Sequence, residues 1–295
     1  MKNLTAKPFV KWAGGKTQLL PELTSFIPYQ KNDTFTYIEP FVGSGAMLFY
    51  MLQNYPNIKR FVINDINTDL ITTYIAVKSY LYKLLDQLTK LENEYHALEN
   101  DIPKKESFYY IKRDLYNNRI SEPTTQAALF IFLNKTCYNG LYRVNQNNQF
   151  NVPIGKYKKP VICDVENLTA VNKALQNVEI LNADFEITAI KASSDTFFYF
   201  DPPYRPISDS ASFNTYSHMI FDDNEQIRLK NFCDKLNNLH YKWLMSNSDP
   251  QNIKPDSFFE NLYQAYTIRS VKAKRLINSD KDKRGTINEL IISNY

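Results

Sequence analysis

The segment TFFYFDPPYRP, residues 196–206, constrains the fold of this 295-residue chain more than any other. TFFYF predicts a hydrophobic strand, and Asp201 follows it directly. Pro202 and Pro203 cannot continue a ladder, because proline has no backbone N–H to donate. The strand therefore stops with a carboxylate at its carboxyl end, where open α/β sheets place their ligands. A rigid surface turn after a buried strand is the plainer reading of the same residues.

The rest of the chain agrees with such a sheet. FTYIEPF (35–41), the helical stretch AMLFYMLQNY and the strand FVIND (61–65) make a βαβ rhythm. It returns after Asp164 with a helix to about Asn177, strand VEILN, a short helix after Asp184, TFFYF, a helix over 222–238 and strand YKWLMSN. This alternation predicts an α/β fold with a mostly parallel sheet covered by helices, and the runs 262–271 and 287–293 are expected to pair as an antiparallel edge. Between the two halves the pattern is mainly helical. One helix is expected from Thr68 to Asn100, with Leu81, Leu84, Leu85, Leu88 and Leu91 on one stripe. A second is expected from Pro123 to about Cys137, N-capped by Ser121, and then a hairpin-like element in LYRVNQNNQFNVPIGKY. Residues 1–70 and 159–295 thus read as one domain, and 71–158 as an insertion.

Composition excludes several classes. Aromatic content of 14% argues against disorder. No apolar run approaches the roughly eighteen residues of a membrane span, and the N-terminus lacks the apolar core of a signal peptide, so a cytoplasmic protein is expected. Cys137, Cys163 and Cys233 show no pairing pattern, and with only three histidines no metal site is expected. The net charge of +4 only weakly favours an anionic partner, but the run 269–284 and the trio Lys156, Lys158 and Lys159 concentrate it. Solvated loops would account for such runs equally.

Two further motifs carry chemistry. In FVGSG (41–45) two glycines allow a tight turn and close backbone approach before a helix N-terminus, and Asp65 ends the next strand, where an acid accepts from ribose hydroxyls. The third glycine of the dinucleotide pattern is replaced by Leu48, so the motif indicates a nucleoside-type ligand or an ordinary βα turn. FVKWAGGKT (9–17) is not a phosphate loop, because Val10 stands where that motif needs glycine. Trp12, Gly14, Gly15 and Lys16 instead suit an amino-acid carboxylate beside an aromatic face. At DPPY, Asp201 and the Pro202 carbonyl are suited to accept both protons of an exocyclic amino group, whose lone pair is otherwise delocalised into its ring. Tyr204 is suited to stack on that ring, and the proline pair preorganises the turn.

FVKWAGGK, IEPFVGSG, the Asn64–Asp65 pair and DPPY, in this order and with an insertion before DPPY, resemble the DNA adenine-N6 methyltransferases of the Dam family, of α-type motif order. The resemblance extends over essentially the whole chain, including YNGLYRVN (138–145), QFNVPIGKYKKP (149–160) and SNS (246–248). It implies a Rossmann-like methyltransferase sheet with an inserted target-recognition domain. It also implies S-adenosylmethionine as cofactor, bound by Trp12, Lys16, Phe41, Gly43, Ser44, Asp65, Asp184, Phe185 and Asp201. Asp201, Pro202, Pro203 and Tyr204 match the catalytic motif, into which adenine is flipped from double-stranded DNA. By the same resemblance Tyr138 inserts into the duplex beside Asn139, Arg143 and Lys11 read guanine, and Leu141 and Pro153 touch a thymine methyl, which implies GATC. Lys156 stands where some relatives carry arginine; it keeps the attraction to phosphate but not the fork.

The resemblance implies an enzyme acting as a monomer, with or without a cognate restriction endonuclease in the same cell. Transfer to cytosine N4, RNA or a protein amide is a second reading; Asp201 counts against cytosine N4 and glutamine, since relatives with those acceptors tend to carry Ser or Asn before the proline pair. A non-catalytic DNA-binding protein of the same fold is a third.

Overall fold

The computed structural model describes residues 5–98, 101–205, 221–252, 255–274 and 286–295. Pro206, Gly285 and most of the basic run 269–284 lie outside the described residues. Seven strands form one sheet: β1 (Thr36–Glu39), β2 (Arg60–Asn64), β3 (Val178–Leu181), β4 (Thr196–Phe200), β5 (Lys242–Ser248), β6 (Thr267–Lys274) and β7 (Thr286–Ser293). Their order is β3-β2-β1-β4-β5-β7-β6. The first five are parallel, and β7 lies antiparallel to both β5 and β6, forming the expected edge. The fold class is therefore the one expected.

Side-chain alternation along the strands divides the core between the two faces of the sheet. Tyr37, Phe61, Ile63, Phe197 and Tyr199 belong to one apolar cluster, and Ile38, Val62, Phe198 and Phe200 to the other. The helices are α1 (Leu20–Thr24), α2 (Ala46–Asn54), α3 (Thr68–Ser79), α4 (Leu81–Ala97), α5 (Ile102–Asn118), α6 (Pro123–Thr136), α7 (Val165–Leu175), α8 (Asp223–Asn238) and α9 (Phe258–Leu262). The second cluster takes in α8 and α9 through Leu229, Phe232, Leu236 and Phe259. The first runs without a break from the sheet through α2, α3 and α7 to Leu84, Tyr95, Tyr109 and Phe132 of the helical block. The block shares the core of that sheet face.

The helix expected from Thr68 to Asn100 is two helices, parted at Tyr80, whose backbone turns to φ −132° and ψ 34°. Its sequence holds no local breaker; the stop comes from α7. Asn172 Nδ2 donates to the carbonyls of Val77 (2.8 Å) and Lys78 (2.9 Å), and Gln176 Nε2 donates to Lys78 (3.1 Å). These side chains satisfy carbonyls that end without an intrahelical partner. The residue capping α6 is Glu122, without a side-chain hydrogen bond, and not Ser121. Helix α5 was not expected, although its start is marked locally: Asp101 accepts from the Lys104 amide (3.1 Å), and Pro103 sits in the first turn. The hairpin-like element is looser than a strand pair. It has single bridges at Val144–Phe150 and Cys137–Ile154, closed by Asn145, whose side chain accepts from the amides of Asn147 and Gln149. Among the described residues no helix is long and apolar enough to cross a membrane.

Candidate active site

Four parallel strands end side by side and release the motif residues at one edge. Phe41–Gly45 follows β1, Asp65 follows β2, Asp184 and Phe185 follow β3, and Asp201 follows β4. β1 lies between β2 and β4, so chain order reverses there and a crevice opens at the strand ends. Gly45 begins α2 at φ 78°, and a Cβ there would lie 2.6 Å from the Tyr74 hydroxyl, so both conformation and space demand glycine. Tyr74 in turn donates to the Gly43 carbonyl at 3.1 Å. Asp65 accepts from the amides of Gly43 (3.1 Å) and Asn67 (2.9 Å). Burial pushes its carboxyl up to about 6, against the pull of those two amides. Asp65 thus braces the glycine loop as well as facing the crevice edge. Ser44 is buried within the same loop.

Asp201 sits in a buried polar cluster that only the tertiary structure assembles. Lys16, 4% exposed, lies 2.6 Å from Asp201 Oδ1 and donates to Tyr204 (2.9 Å) and to the Gly14 carbonyl (3.0 Å). These three acceptors match the three protons of an ammonium. Burial opposes the charge on Lys16, but Asp201, Tyr204, Glu289 and Tyr199 together hold the ammonium well above its usual range. Burial likewise pushes the Asp201 carboxyl up, while Lys16 and Ser246 pull it down. Ser246 of β5 donates to Asp201 Oδ1 (3.2 Å), and its hydroxyl is 2.8 Å from that of Tyr199. Tyr204 donates to Glu289 of β7 at 2.7 Å. Gln226 of α8 donates to the Pro203 carbonyl at 3.2 Å. Arg205 ties the end of the motif down through Asp223 and Asp256 (2.7 Å), with its guanidinium 4.2 Å from the Phe258 ring centroid.

Beyond β3, Asp184 is paired with Arg228 of α8 through both carboxylate oxygens (2.9 and 2.8 Å), which lowers its carboxyl below the usual range. The same guanidinium lies 4.1 Å from the Phe185 ring centroid, and Phe185 packs against Phe41 at 5.4 Å between centroids. Trp12 lies against Gly43 and stacks on Tyr142 at 5.2 Å. Tyr142 donates to Asp69 (3.1 Å), as does Tyr116 (2.7 Å), and Arg119 pairs with the same carboxylate.

The residues singled out in the insertion form a second group. Asn134 of α6 accepts from the Lys11 amide (2.8 Å) and donates to the carbonyls of Lys11 (2.8 Å) and Gly140 (3.2 Å). The Lys11 side chain crosses Gly140, where φ is 64° and a Cβ would meet Lys11 Cδ at 2.2 Å. Tyr138 is 44% exposed and its amide donates to the Pro153 carbonyl at 2.8 Å. Asn139 takes a positive φ of 55°. Arg143 donates through Nε to Asn151 Oδ1 at 2.7 Å. Pro153 and Lys156 are exposed, whereas Leu141 is half-buried against the core. Lys11, Tyr138, Asn139 and Pro153 are thus neighbours, while Arg143 is held apart from them by Asn151.

With this geometry in place, the family decides the chemistry. Residues 12–277 match the model of the D12 class of N6 adenine-specific DNA methyltransferases. The chain belongs to that class. It is 46% identical to the type II methyltransferase M.MjaIII of Methanocaldococcus jannaschii, over 99% of this chain and 100% of that one. It is 32% identical to the DNA adenine methylase of Haemophilus influenzae, over 98% and 94%, and 32% identical to that of Escherichia coli K12, over 97% and 94%. This adenine methyltransferase acts on the N6 amino group of adenine in DNA, and its class implies S-adenosylmethionine as methyl donor. The residues at the crevice fit that donor: Asp65, after β2, suits ribose hydroxyls, and the Phe41–Phe185 pair suits a flat ring.

Several residues that build the methyltransferase site escaped the motif reading. Glu289 lies 85 residues from Tyr204, Arg205 51 from Asp256, Arg228 44 from Asp184, Asn134 123 from Lys11 and Tyr142 73 from Asp69, so no local pattern pairs them. Buried Glu39 of β1, which accepts from Tyr37 at 2.8 Å, is another; a glutamate inside a hydrophobic strand is the one signal that was available.

Proposed function

We propose that this enzyme methylates adenine within GATC in double-stranded DNA, acting as a monomer and turning the target base out of the helix into the crevice at Asp201 and Tyr204. The observation that carries the reading is Asp201, held at the end of β4 by Lys16 and Ser246 beside Tyr204, a tyrosine that is 37% exposed. Asp201 and the Pro202 carbonyl accept hydrogen bonds from the two amino N–H groups of adenine, so that nitrogen moves toward tetrahedral geometry and its lone pair is freed for attack. Tyr204 stacks on the base. Lys16 keeps the Asp201 carboxylate oriented through a buried contact that needs no reorganisation when the base arrives. S-adenosylmethionine supplies an electrophilic methyl group on its sulfonium. Trp12, Lys16, Phe41, Gly43, Ser44, Asp65, Asp184 and Phe185 hold it, with Asp65 at the ribose and Asp184 and Phe185 at the adenine end.

Residues 71–158 supply recognition. Tyr138 enters the duplex beside Asn139, Lys11 and Arg143 read guanine, Leu141 and Pro153 touch thymine, and Lys156 neutralises phosphate. The juxtaposition of Lys11 with the Tyr138–Gly140 turn supports a shared recognition surface. Methylation-aware sequencing of DNA from cells expressing the chain tests the site: modified adenine confined to GATC is expected, and modification of another sequence overturns it. Replacing Asp201 with Ala is expected to lower the methyl-transfer rate by about a thousandfold while cofactor binding persists. Full activity of that variant would rule out the mechanism.

A further inference from the structure

Tyr204 is 37% exposed, yet its hydroxyl is held from inside the fold. An ammonium can only donate, so the phenol oxygen accepts from Lys16 (2.9 Å) and its single proton goes to Glu289 Oε1 (2.7 Å). Glu289 is 5% exposed. It stands on β7 opposite Ser248 of β5 and Val271 of β6, so a strand with no part in the DPPY motif supplies the acceptor. We propose that Glu289 is a positioning residue for the target base: its carboxylate fixes the Tyr204 phenol, and with it the plane of the ring on which the flipped adenine stacks. The inference rests on the stacking role of Tyr204 proposed above. Lys16 holds the same oxygen from the N-terminal segment, and an acceptor on a paired strand removes the freedom that remains in the two side-chain torsions before the base arrives.

Glu289 Oε2 also lies 3.9 Å from Lys16, so the carboxylate has a competing role as a counter-ion. Two conservative variants separate the roles. Glu289→Gln keeps the reach and an acceptor oxygen but drops the charge; Glu289→Asp keeps the charge and shortens the reach by a methylene. The measurement is the single-turnover methylation rate of a duplex by the full chain with S-adenosylmethionine, with cofactor affinity measured alongside. Glu289→Asp is expected to slow transfer about tenfold, since small misplacements of a stacking partner cost rate and not cofactor affinity. Glu289→Gln is expected to retain the rate within about threefold. In a Tyr204→Phe background, which has no hydroxyl to hold, Glu289→Asp is expected to cost less than about twofold. A Gln variant slower than the Asp variant, or an Asp penalty undiminished in the Tyr204→Phe background, overturns the proposal. Tyr204→Ala tests the stacking reading separately: full activity there defeats that reading, whatever the order of the Glu289 variants.

Discussion

Asp65 braces the glycine loop and, in the proposed site, also accepts from the cofactor ribose, and its environment gives the two a pH signature. One oxygen accepts from the amide of Gly43, in the loop that begins α2, and the other from that of Asn67, which caps α3, while burial raises its carboxyl from 3.8 to about 6. Between those values the folded state binds more protons than the unfolded chain, so this group's contribution to stability is complete below 3.8 and lost as pH rises through about 6. The loss amounts to at most roughly 3 kcal/mol. Cofactor binding runs the other way, because only the ionised carboxylate accepts fully from ribose hydroxyls. Affinity for S-adenosylmethionine, measured by calorimetry, is expected to rise between pH 5 and pH 7, on the order of tenfold. Asp65→Asn is expected to bind weakly and without that rise; an unchanged pH step in the variant would show that another group titrates.

At the scale of elements, local sequence was most informative where a turn demands a particular residue. Gly45 is such a place, with its positive φ and the Tyr74 hydroxyl where a side chain would go. Gly45→Ala is expected to lower stability by about 2 kcal/mol or more in urea unfolding, with a loss of cofactor affinity as the loop shifts. A variant as stable as the parent would mean that the turn can relax. The break between α3 and α4 is the opposite case. Apolar spacing continues across Tyr80 from Val77 to Leu81 and Leu84, and the carbonyls that end α3 are satisfied by Asn172 and Gln176, nearly a hundred residues away. No window of neighbouring residues contains that information.

Over the whole molecule, one apolar cluster joins the sheet face to the helical block, so the two are expected to unfold together. Calorimetry is expected to show a single transition. Phe132→Ala, at a fully buried position in α6, is expected to lower that transition as a whole, by a loss of about 3–5 kcal/mol. A separate early transition of the block would show that it has a core of its own.

The sequence by itself determined the strand that ends at Asp201, the glycine turn, the acid at Asp65 and the antiparallel edge. Each depends on residues adjacent in the chain: a hydrophobic run, a proline pair, a backbone that only glycine adopts. Tertiary structure alone decided which charges meet. Lys16, Asp201, Tyr204 and Glu289 come from the N-terminal segment, the end of β4 and an inner strand near the C-terminus. A buried ammonium is stable only where folding surrounds it with acceptors, and that condition belongs to the packed sheet rather than to any stretch of residues.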